Sequence, residues 1–515
     1  MNHHTRLFAL QSVGLVGLAM MIGETPARGQ APAQLCNTLS DSAPDPRDKD
    51  HPILTPIDAS TKTAILTSGL PCAEIMTDKG PKGSENTGVE NRQRGFDFYS
   101  WRTFIALNAP AASPNEIENA QGDTRTFWED GNNFIPLLNV MLPGGIKPEW
   151  TPARRMVPAA CQSLHVLHPD RMVVKMIEES FNQPFRTGPL IDQRNNYAVF
   201  DILMNKVMFD YIVRKKLYSR AGQMSEENSV LRVDFPPANN ASNEVGAIML
   251  KVSWKILTPE DNKNKFHHVE ALVAAPATAD EQNDPPCLER TLGLIGFHVV
   301  HKTKDRPQWI WTSFEHVDNV PEQKDVDARD ADPAGHKLSS AYNFYDPSCS
   351  ADKCPVNETP PRPWNPDPAD KLQFRKTADG KLLFNSQITR VAPLTDATKR
   401  MNAQFQALLG NAVWKHYMLI GTQWPSSFPC SADKAAAGMA DPRTDFEKQP
   451  DMNCAPAPTF MANSTLETFS QGDIPQASSS CMGCHGNATS YLRPKMPNDA
   501  YFSQSDFTFM LEKAR

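Results

Sequence analysis

Residues 248–256 read Ile-Met-Leu-Lys-Val-Ser-Trp-Lys-Ile, so that apolar side chains occupy every second position. Because successive side chains of a strand point to opposite faces of a sheet, this alternation predicts a half-buried β-strand. The stretches 229–235, 266–274, 291–303 and 308–317 also predict strands. About five consecutive strands joined by short loops imply an antiparallel sheet, a sandwich or a barrel.

Helical patterns lie on both sides of this β-rich centre. Apolar residues recur near helical spacing at 96–108, and a longer helix is predicted at 197–218. Farther along, Thr395 is predicted to cap a helix that runs to about Leu409, and a second helical piece is predicted at 411–420. The predicted class is therefore α+β, with an antiparallel β-rich central body, helical flanks and a distinct C-terminal segment.

Length and composition limit the organisation of the chain. Its 515 residues correspond to about three domains of ordinary size. Charged residues are 22% and hydrophobic residues 40%, which excludes wholesale disorder. The composition shifts predict four parts: an export signal at 1–29, an N-terminal mixed and helical region at 30–225, an antiparallel β-rich region at 226–390, and a helical, loop-rich region at 391–515.

The first residues have the features of an export signal. Met1–Arg6 is short and basic, residues 7–23 are mostly apolar, and Ala27-Arg28-Gly29 offers a small-x-small cleavage site. A membrane anchor is the alternative, but the apolar run is slightly short of the ~20 residues that span a bilayer. We therefore expect a periplasmic or secreted protein with no stable membrane span after signal removal. The net charge of -7 gives no electrostatic reason to expect nucleic acid as a partner.

One motif carries specific chemistry. Residues 481–485 read Cys-Met-Gly-Cys-His, the pattern of covalent c-type haem attachment. Two thiols three residues apart can form thioethers with the haem, and the adjacent histidine can ligate its iron. With ten Cys and thirteen His in the chain, chance predicts only about 0.005 such matches. A redox pair or half a zinc site is the alternative, but the chain contains no second Cys-x-x-Cys.

The stretch SCMGCHGNA resembles the attachment site of c-type cytochromes. Four other stretches, FDFYSWRTFIALN, WIWTSFEHVDN, NSTLETFSQ and SDFTFMLEKA, resemble a group of large secreted mono-haem proteins of Gram-negative bacteria. The resemblance implies one covalently attached haem c, with Cys481 and Cys484 as anchors and His485 as proximal ligand. In small cytochromes c the motif lies near the start of the domain. Here only 34 residues follow Cys481, so we expect either that earlier parts of the chain complete the haem site or that the site is unusually compact.

The sixth iron ligand is left open by the sequence. The segment 493–497, Arg-Pro-Lys-Met-Pro, resembles the methionine loop of small cytochromes c and makes Met496 the best candidate metal ligand. A histidine from elsewhere and an open or water-bound iron are the alternatives. His298 and His301 read as H-x-x-H on a predicted strand, where they would point to opposite faces and could not bind one metal together.

Eight cysteines remain outside the motif, and an exported protein can keep them as disulfides. Eight cysteines allow 105 pairings. The pairs expected from proximity along the chain, and for the last pair from elimination, are Cys36–Cys72, Cys349–Cys354, Cys430–Cys454 and Cys161–Cys287.

The function predicted from these features is that of a soluble periplasmic mono-haem c-type cytochrome. It would pass single electrons to a redox partner protein or a small-molecule donor or acceptor. The alternative is a haem c-dependent oxidoreductase, peroxidase- or oxygenase-like, whose substrate pocket is built by the N-terminal and β-rich regions. A third possibility is a binding protein in which the haem is structural or senses a gas. Whether the protein is an enzyme, its substrate and its oligomeric state are not revealed by the sequence.

Overall fold

The computed structural model describes residues 59–66, 69–70, 89–113, 116–151, 157–169, 171–175, 187–229, 231, 233–239, 244–275, 286–304, 306–339, 341–350, 353–425, 456–471, 480–486, 488–492 and 505–515. The predicted export signal at 1–29 lies outside these residues. No helix within them is both long enough and apolar enough to cross a lipid bilayer.

Among the described residues, nine strands form one sheet at the centre of the molecule. They are β1 (Phe134–Pro136), β2 (Met172–Lys175), β3 (Val199–Asn205), β4 (Ile248–Ile256), β5 (His268–Ala274), β6 (Cys287–Thr303), β7 (Arg306–His316), β8 (Tyr417–Pro425) and β9 (Pro456–Ala457). The order is β1-β3-β4-β6-β7-β8-β9, with β5 beside β6 and β2 beside β5. Every pairing is antiparallel except the β2–β5 pair, which is parallel.

The described helices complete an α+β fold, as predicted. They are α1 (Ala59–Leu66), α2 (Val89–Asn108), α3 (Gln162–Leu167), α4 (Lys206–Arg214), α5 (Arg220–Gln223), α6 (Gln323–Ala331), α7 (Asp396–Leu408) and α8 (Cys481–His485). The helix predicted at 96–108 is confirmed as part of α2. The predicted cap of α7 is also confirmed, because the Thr395 hydroxyl accepts the Thr398 N–H at 3.1 Å.

Strand β6 fixes the arrangement of the sheet. It is 17 residues long and pairs with β4 along one edge. Along its other edge it pairs first with β5 and then with β7. The sheet contains strands of all three predicted regions. The first region contributes β1 to β3, the second β4 to β7, and the third β8 and β9. The division at 30–225, 226–390 and 391–515 itself stays a prediction.

The sheet has a core on each face. On one face, Val252 of β4 packs in a cluster that also contains Trp101 of α2 and Phe405 of α7, whose rings stack 4.8 Å apart. On the other face, Met249 belongs to a cluster with Met482 of α8. The alternation at 248–256 therefore predicted the strand correctly. It did not predict that both faces would be covered and the strand almost wholly buried.

The prediction of one long helix at 197–218 is wrong. Its first half is β3, which pairs with β4, and only its second half is helical, as α4. The Asn205 side chain marks the change, because its Oδ1 accepts the Met208 N–H at 3.2 Å and the Ile248 N–H at 3.1 Å. A strand buried on both faces carries no period of two, so its apolar run looks like a buried helix, and the pairing with β4 decides its conformation.

Two further predictions differ from the structure. The helical piece expected at 411–420 is a short 3₁₀ turn, Val413–His416, followed by strand β8. Pairing with β7 gives the apolar residues after Tyr417 an extended partner, which overrides their local preference. The strand expected at 229–235 is absent from the described residues of that range.

Two of the four expected disulfides are confirmed. Cys161 is bonded to Cys287 across 126 residues, and Cys349 is bonded to Cys354 across 5 residues. The first bridge ties the residue preceding α3 to the first residue of β6, where it packs with Leu272 and Ala274 of β5. The pairs Cys36–Cys72 and Cys430–Cys454 lie outside the described residues.

The two bridges should differ in their contribution to stability. Loop-closure entropy gives about 5 kcal/mol for a loop of 126 residues and about 2 kcal/mol for one of 5 residues. We expect Cys161→Ala/Cys287→Ala to lower the thermal midpoint more than the matched Cys349→Ala/Cys354→Ala variant. Differential scanning calorimetry measures this, and a larger loss for the short bridge would contradict the assignment of the long bridge as the main restraint.

Candidate functional site

The motif at 481–485 forms helix α8, and buried polar contacts hold its start. The Ser480 hydroxyl accepts the Gly483 N–H at 3.1 Å and so caps the helix. The same hydroxyl donates to Oε1 of Gln423 on β8, and that oxygen also accepts the Met482 N–H at 2.8 Å. Gln423 is fully buried. A single β8 side chain therefore anchors the start of α8 to the sheet.

The two thiols of the motif lie on one side of α8. Cys481 and Cys484 are three residues apart, so they are neighbours on the helix surface, and both are free and half-buried. Met482, between them in sequence, points into the core. Burial raises the pKa of Cys484 to about 12, with a further contribution from Glu467. Both thiols are therefore protonated at neutral pH.

The imidazole of His485 is held in one orientation and one tautomer. Its Nδ1 lies 2.8 Å from the main-chain carbonyl oxygen of Phe507. Because a carbonyl oxygen only accepts, Nδ1 carries the ring proton and Nε2 keeps its lone pair. Burial lowers the pKa of His485 to about 4, so the ring is neutral at pH 7. The ring centroids of Trp311 and Phe509 lie 4.5 Å and 5.1 Å away. Metal-ligating histidines in proteins commonly donate their other ring N–H to a carbonyl or carboxylate in the same way.

The carbonyl of Phe507 is positioned by a strained turn. Asp506 and Phe507 have positive φ angles of 49° and 62°, which non-glycine residues adopt only when their surroundings impose it. The Asp506 carboxylate accepts hydrogen bonds from the Phe235 N–H at 2.8 Å and from the Trp309 indole at 3.2 Å. It also pairs with the buried ammonium of Lys302. These contacts hold the turn against its strain.

A carboxylate–imidazole pair lies on the same side of the sheet. Nε2 of His298 is 2.9 Å from Oε1 of Glu467. Burial by itself would raise the pKa of Glu467, but the charge of His298 and its hydrogen bond lower that pKa to about 2. Glu467 in turn raises the pKa of Cys481, after burial itself. Lys251 lies directly opposite His298 in the β4–β6 pairing and completes this group of charges.

The segment that carries Glu467 lies flat on the sheet. Asn463 donates to the hydroxyl of Ser313 on β7 at 2.9 Å, and the hydroxyl of Ser464 donates to Glu315 at 2.6 Å. Under the segment, a Cβ at Gly296 would come within 2.3 Å of the Thr465 hydroxyl. Glycine at this position of β6 therefore permits the close approach that places Glu467 beside α8.

The stretches at 96–108, 309–319, 463–471 and 505–514 all reach β7 or α8. Ser100 of α2 shares a hydroxyl contact of 2.7 Å with Thr312 on the helical face of β7. On the other face the 463–471 stretch contacts Ser313. The 505–514 stretch reaches α8 at His485, and Trp311 belongs to β7 itself. Stretches that are far apart in sequence are thus gathered around one strand and one short helix.

The other candidate ligands are placed as follows. Met496 lies outside the described residues. His298 and His301 point to opposite faces of β6, as predicted, since His301 accepts from the Tyr99 hydroxyl on the α2 side. His301 is bound on both ring nitrogens, because its Nε2 also donates to the Val245 carbonyl. No group of three His, Cys, Asp or Glu side chains among the described residues is arranged to hold a metal ion.

The residue types at 481–485 predict the motif, but no local pattern predicts the residues that hold it in place. Glu467 lies within 463–471 and Phe507 within 505–514, and nothing in either stretch marks them as neighbours of the motif. A backbone carbonyl such as that of Phe507 leaves no signature in residue types. Comparison with protein-family models, with curated proteins and with solved structures found no match for this chain.

The Glu467–His298 pair should make stability depend on pH. The pKa of Glu467 is about 2 in the folded protein, against an ordinary value of 4.5. A group with a depressed folded pKa stabilises the fold above its unfolded pKa, and this stabilisation is lost as the pH falls from 4.5 towards 2. We expect Glu467→Gln to lower the free energy of unfolding at pH 7 by at most about 3 kcal/mol.

Urea unfolding at pH 7 and pH 3 measures this effect, and the difference between wild type and Glu467→Gln should shrink at the lower pH. The control is Glu227→Gln, which removes a carboxylate from an exposed ion pair with Lys216 and should change little. An equal loss in the control, or a loss that does not depend on pH, would contradict the role given to the buried pair.

Proposed function

We propose that this chain is an exported mono-haem c-type cytochrome that transfers single electrons. One haem would be bound covalently through Cys481 and Cys484, with His485 as its proximal ligand. The observation that carries the proposal is the state of His485: a neutral ring, fixed through Nδ1, with the Nε2 lone pair left for a metal. Two free thiols on the same turn of α8 supply the donor set that covalent haem attachment needs.

The residues around α8 have roles that suit electron transfer. The haem, when bound, would supply an iron that alternates between ferric and ferrous states. Trp311 and Phe509 pack on the His485 ring and shield part of it from water. The Phe507 carbonyl polarises Nδ1–H, which makes Nε2 a stronger donor and favours the ferric state.

The sixth ligand stays a proposal with one leading candidate. Met496 is preferred because of its methionine-loop context, and Met/His ligation raises the reduction potential. Among the described histidines, His298 lies on the α8 side of the sheet, but its Nε2 is bound to Glu467. Export to the periplasm is supported by the two disulfides, which persist in oxidising compartments.

The first test is covalent haem attachment. The chain is expressed with its first 29 residues and with the periplasmic haem-maturation machinery, and haem is detected on a denaturing gel. We expect stained haem in the wild type and none in Cys481→Ala/Cys484→Ala. The matched control Cys349→Ala/Cys354→Ala removes a disulfide and should keep its haem. Absence of bound haem in the wild type, with folded protein present, would refute the proposal.

Spectroscopy separates electron transfer from the enzymatic alternative. A six-coordinate, low-spin iron that is inert to CO and peroxide is expected for an electron carrier. Met496→Ala should abolish the methionine–ferric charge-transfer band, whereas Met224→Ala, a change at an exposed methionine, should preserve it. A five-coordinate or water-bound iron that reacts with peroxide would instead support an oxidoreductase.

Asp506 offers a quantitative test of the His485 environment. Asp506→Asn weakens the contacts that hold the Phe507 carbonyl against Nδ1 of His485. A less basic imidazole stabilises ferric iron less, so the midpoint potential should rise by tens of millivolts, each tenfold change in relative affinity being about 59 mV. Spectroelectrochemistry measures the potential. The matched variant Asp210→Asn, in an exposed ion pair on α4, should leave it unchanged.

A further inference from the structure

A polar cleft lies at the end of the sheet away from α8. Its volume is about 420 Å³, within the range of small-molecule sites, and its walls come from residues 193–194, 255, 260–262, 265–266, 318, 341–343 and 345–347. On β7, Trp311 beside α8 is five residues before His316, where the strand ends near the cleft. Five residues of strand span about 17 Å. The cleft is therefore separate from the His485 site.

Two cation–carboxylate pairs line the cleft, and the exposed Arg194 and Glu260 add one charge of each sign. Lys255 is almost wholly buried and pairs with Asp261. The ammonium of Lys265 lies 2.7 Å from the carboxylate of Asp318. Each pair presents donors and acceptors side by side while adding no net charge.

The floor of the cleft is held in place by Asn343. Its Oδ1 accepts from Lys255 at 3.3 Å, and its Nδ2 donates to Asn319 at 3.0 Å. Its main-chain N–H donates to the Asp318 carbonyl at 2.8 Å, and its carbonyl accepts from the Gln193 N–H at 3.0 Å. One residue thus joins the segments that form the walls. A binding surface fixed in this way loses little conformational entropy when a ligand binds.

The charges select against ionic ligands. The three lining cations are balanced by Glu260, Asp261 and Asp318, and Asp346 adds one further carboxylate, so an anion would be repelled. A cation would have to displace a lysine from Asp261 or Asp318, and Asp346 Oδ1 already accepts the N–H and the hydroxyl of Ser348. A neutral ligand with adjacent hydroxyl groups can instead donate to each carboxylate and accept from each cation. The half-buried ring of Tyr342 provides a flat apolar wall for the C–H face of such a ligand.

We propose that this cleft binds a neutral carbohydrate of mono- or disaccharide size. The contacts that carry the proposal are the Lys255–Asp261 and Lys265–Asp318 pairs around the Asn343 floor. The proposal is independent of haem binding, since none of these residues contacts α8. It gives the chain a ligand site distinct from its redox chemistry.

The test uses the full chain and saturation-transfer NMR. Glucose and maltose are the neutral probes, gluconate the anionic analogue and glucosamine the cationic one, each at concentrations on the order of 10 mM, where even millimolar sites are occupied. We expect saturation transfer to glucose or maltose and weaker transfer to both charged analogues. No transfer to either neutral sugar, or stronger transfer to gluconate or glucosamine, would overturn the proposal.

A pair of neighbouring lysines gives a matched comparison. Lys265→Met removes a cation of the cleft, whereas Lys263→Met removes an exposed lysine that pairs with Glu270 outside the lining. Titration calorimetry should show a dissociation constant about tenfold weaker for Lys265→Met and unchanged for Lys263→Met. Circular dichroism checks that both variants fold. Equal affinity in the two variants would place the sugar elsewhere and overturn the assignment of this cleft.

Discussion

The pairing of β7 between β6 and β8 is the constraint on which the surroundings of α8 depend. Hydrogen bonds along both edges fix which side chains of β7 point to each face. Trp311 then reaches the His485 ring, while the next residue, Thr312, contacts α2 on the other side. A slip of one residue would exchange the two faces and remove both contacts at once. The register of one strand therefore decides the environment of the motif.

Buried polar contacts add specificity to this arrangement. The carboxylate of Glu315 on β7 binds the Arg390 guanidinium through two contacts of 3.2 Å and 3.0 Å and also accepts from the Ser464 hydroxyl. Removing one partner would leave a buried charge uncompensated, which costs several kcal/mol. Such contacts form only when the distances and angles between donor and acceptor are right. They therefore fix one position of the 463–471 segment on the sheet, whereas apolar packing alone would allow several.

The sequence predicted the parts of the fold that carry local signals. The strand predicted at 248–256 and the helix cap predicted at Thr395 are confirmed, because in both places the side chains determine the local conformation. The prediction of a helix at 197–218 is wrong because a strand covered on both faces shows no alternation. The conformation of that strand is decided by its pairing with β4. Spacing along the chain and elimination correctly predicted the Cys161–Cys287 bridge, whose ends the sheet brings together.

Of the candidate site, only the side chains of the motif were predictable from the sequence. Residue types at 481–485 identify the thiols and the imidazole, because the proposed haem attachment requires those side chains at that spacing. The orientation of His485 depends on a carbonyl 22 residues away, and the Glu467–His298 pair joins residues separated by 169 positions. Contacts of this kind follow from the topology of the sheet, which the sequence determines only through long-range pairing.

The two neighbours of His485 differ in how firmly they are attached. Trp311 belongs to a strand paired on both edges and covered on both faces, so its amide should exchange with solvent only through global unfolding. Phe507 belongs to a segment that forms no strand and is held to the body largely by side chains such as Asp506. Local opening would therefore release the carbonyl from Nδ1 before the indole leaves the ring. The basicity of His485 thus depends on the Phe507 carbonyl, which is the neighbour released at the lower free energy of opening.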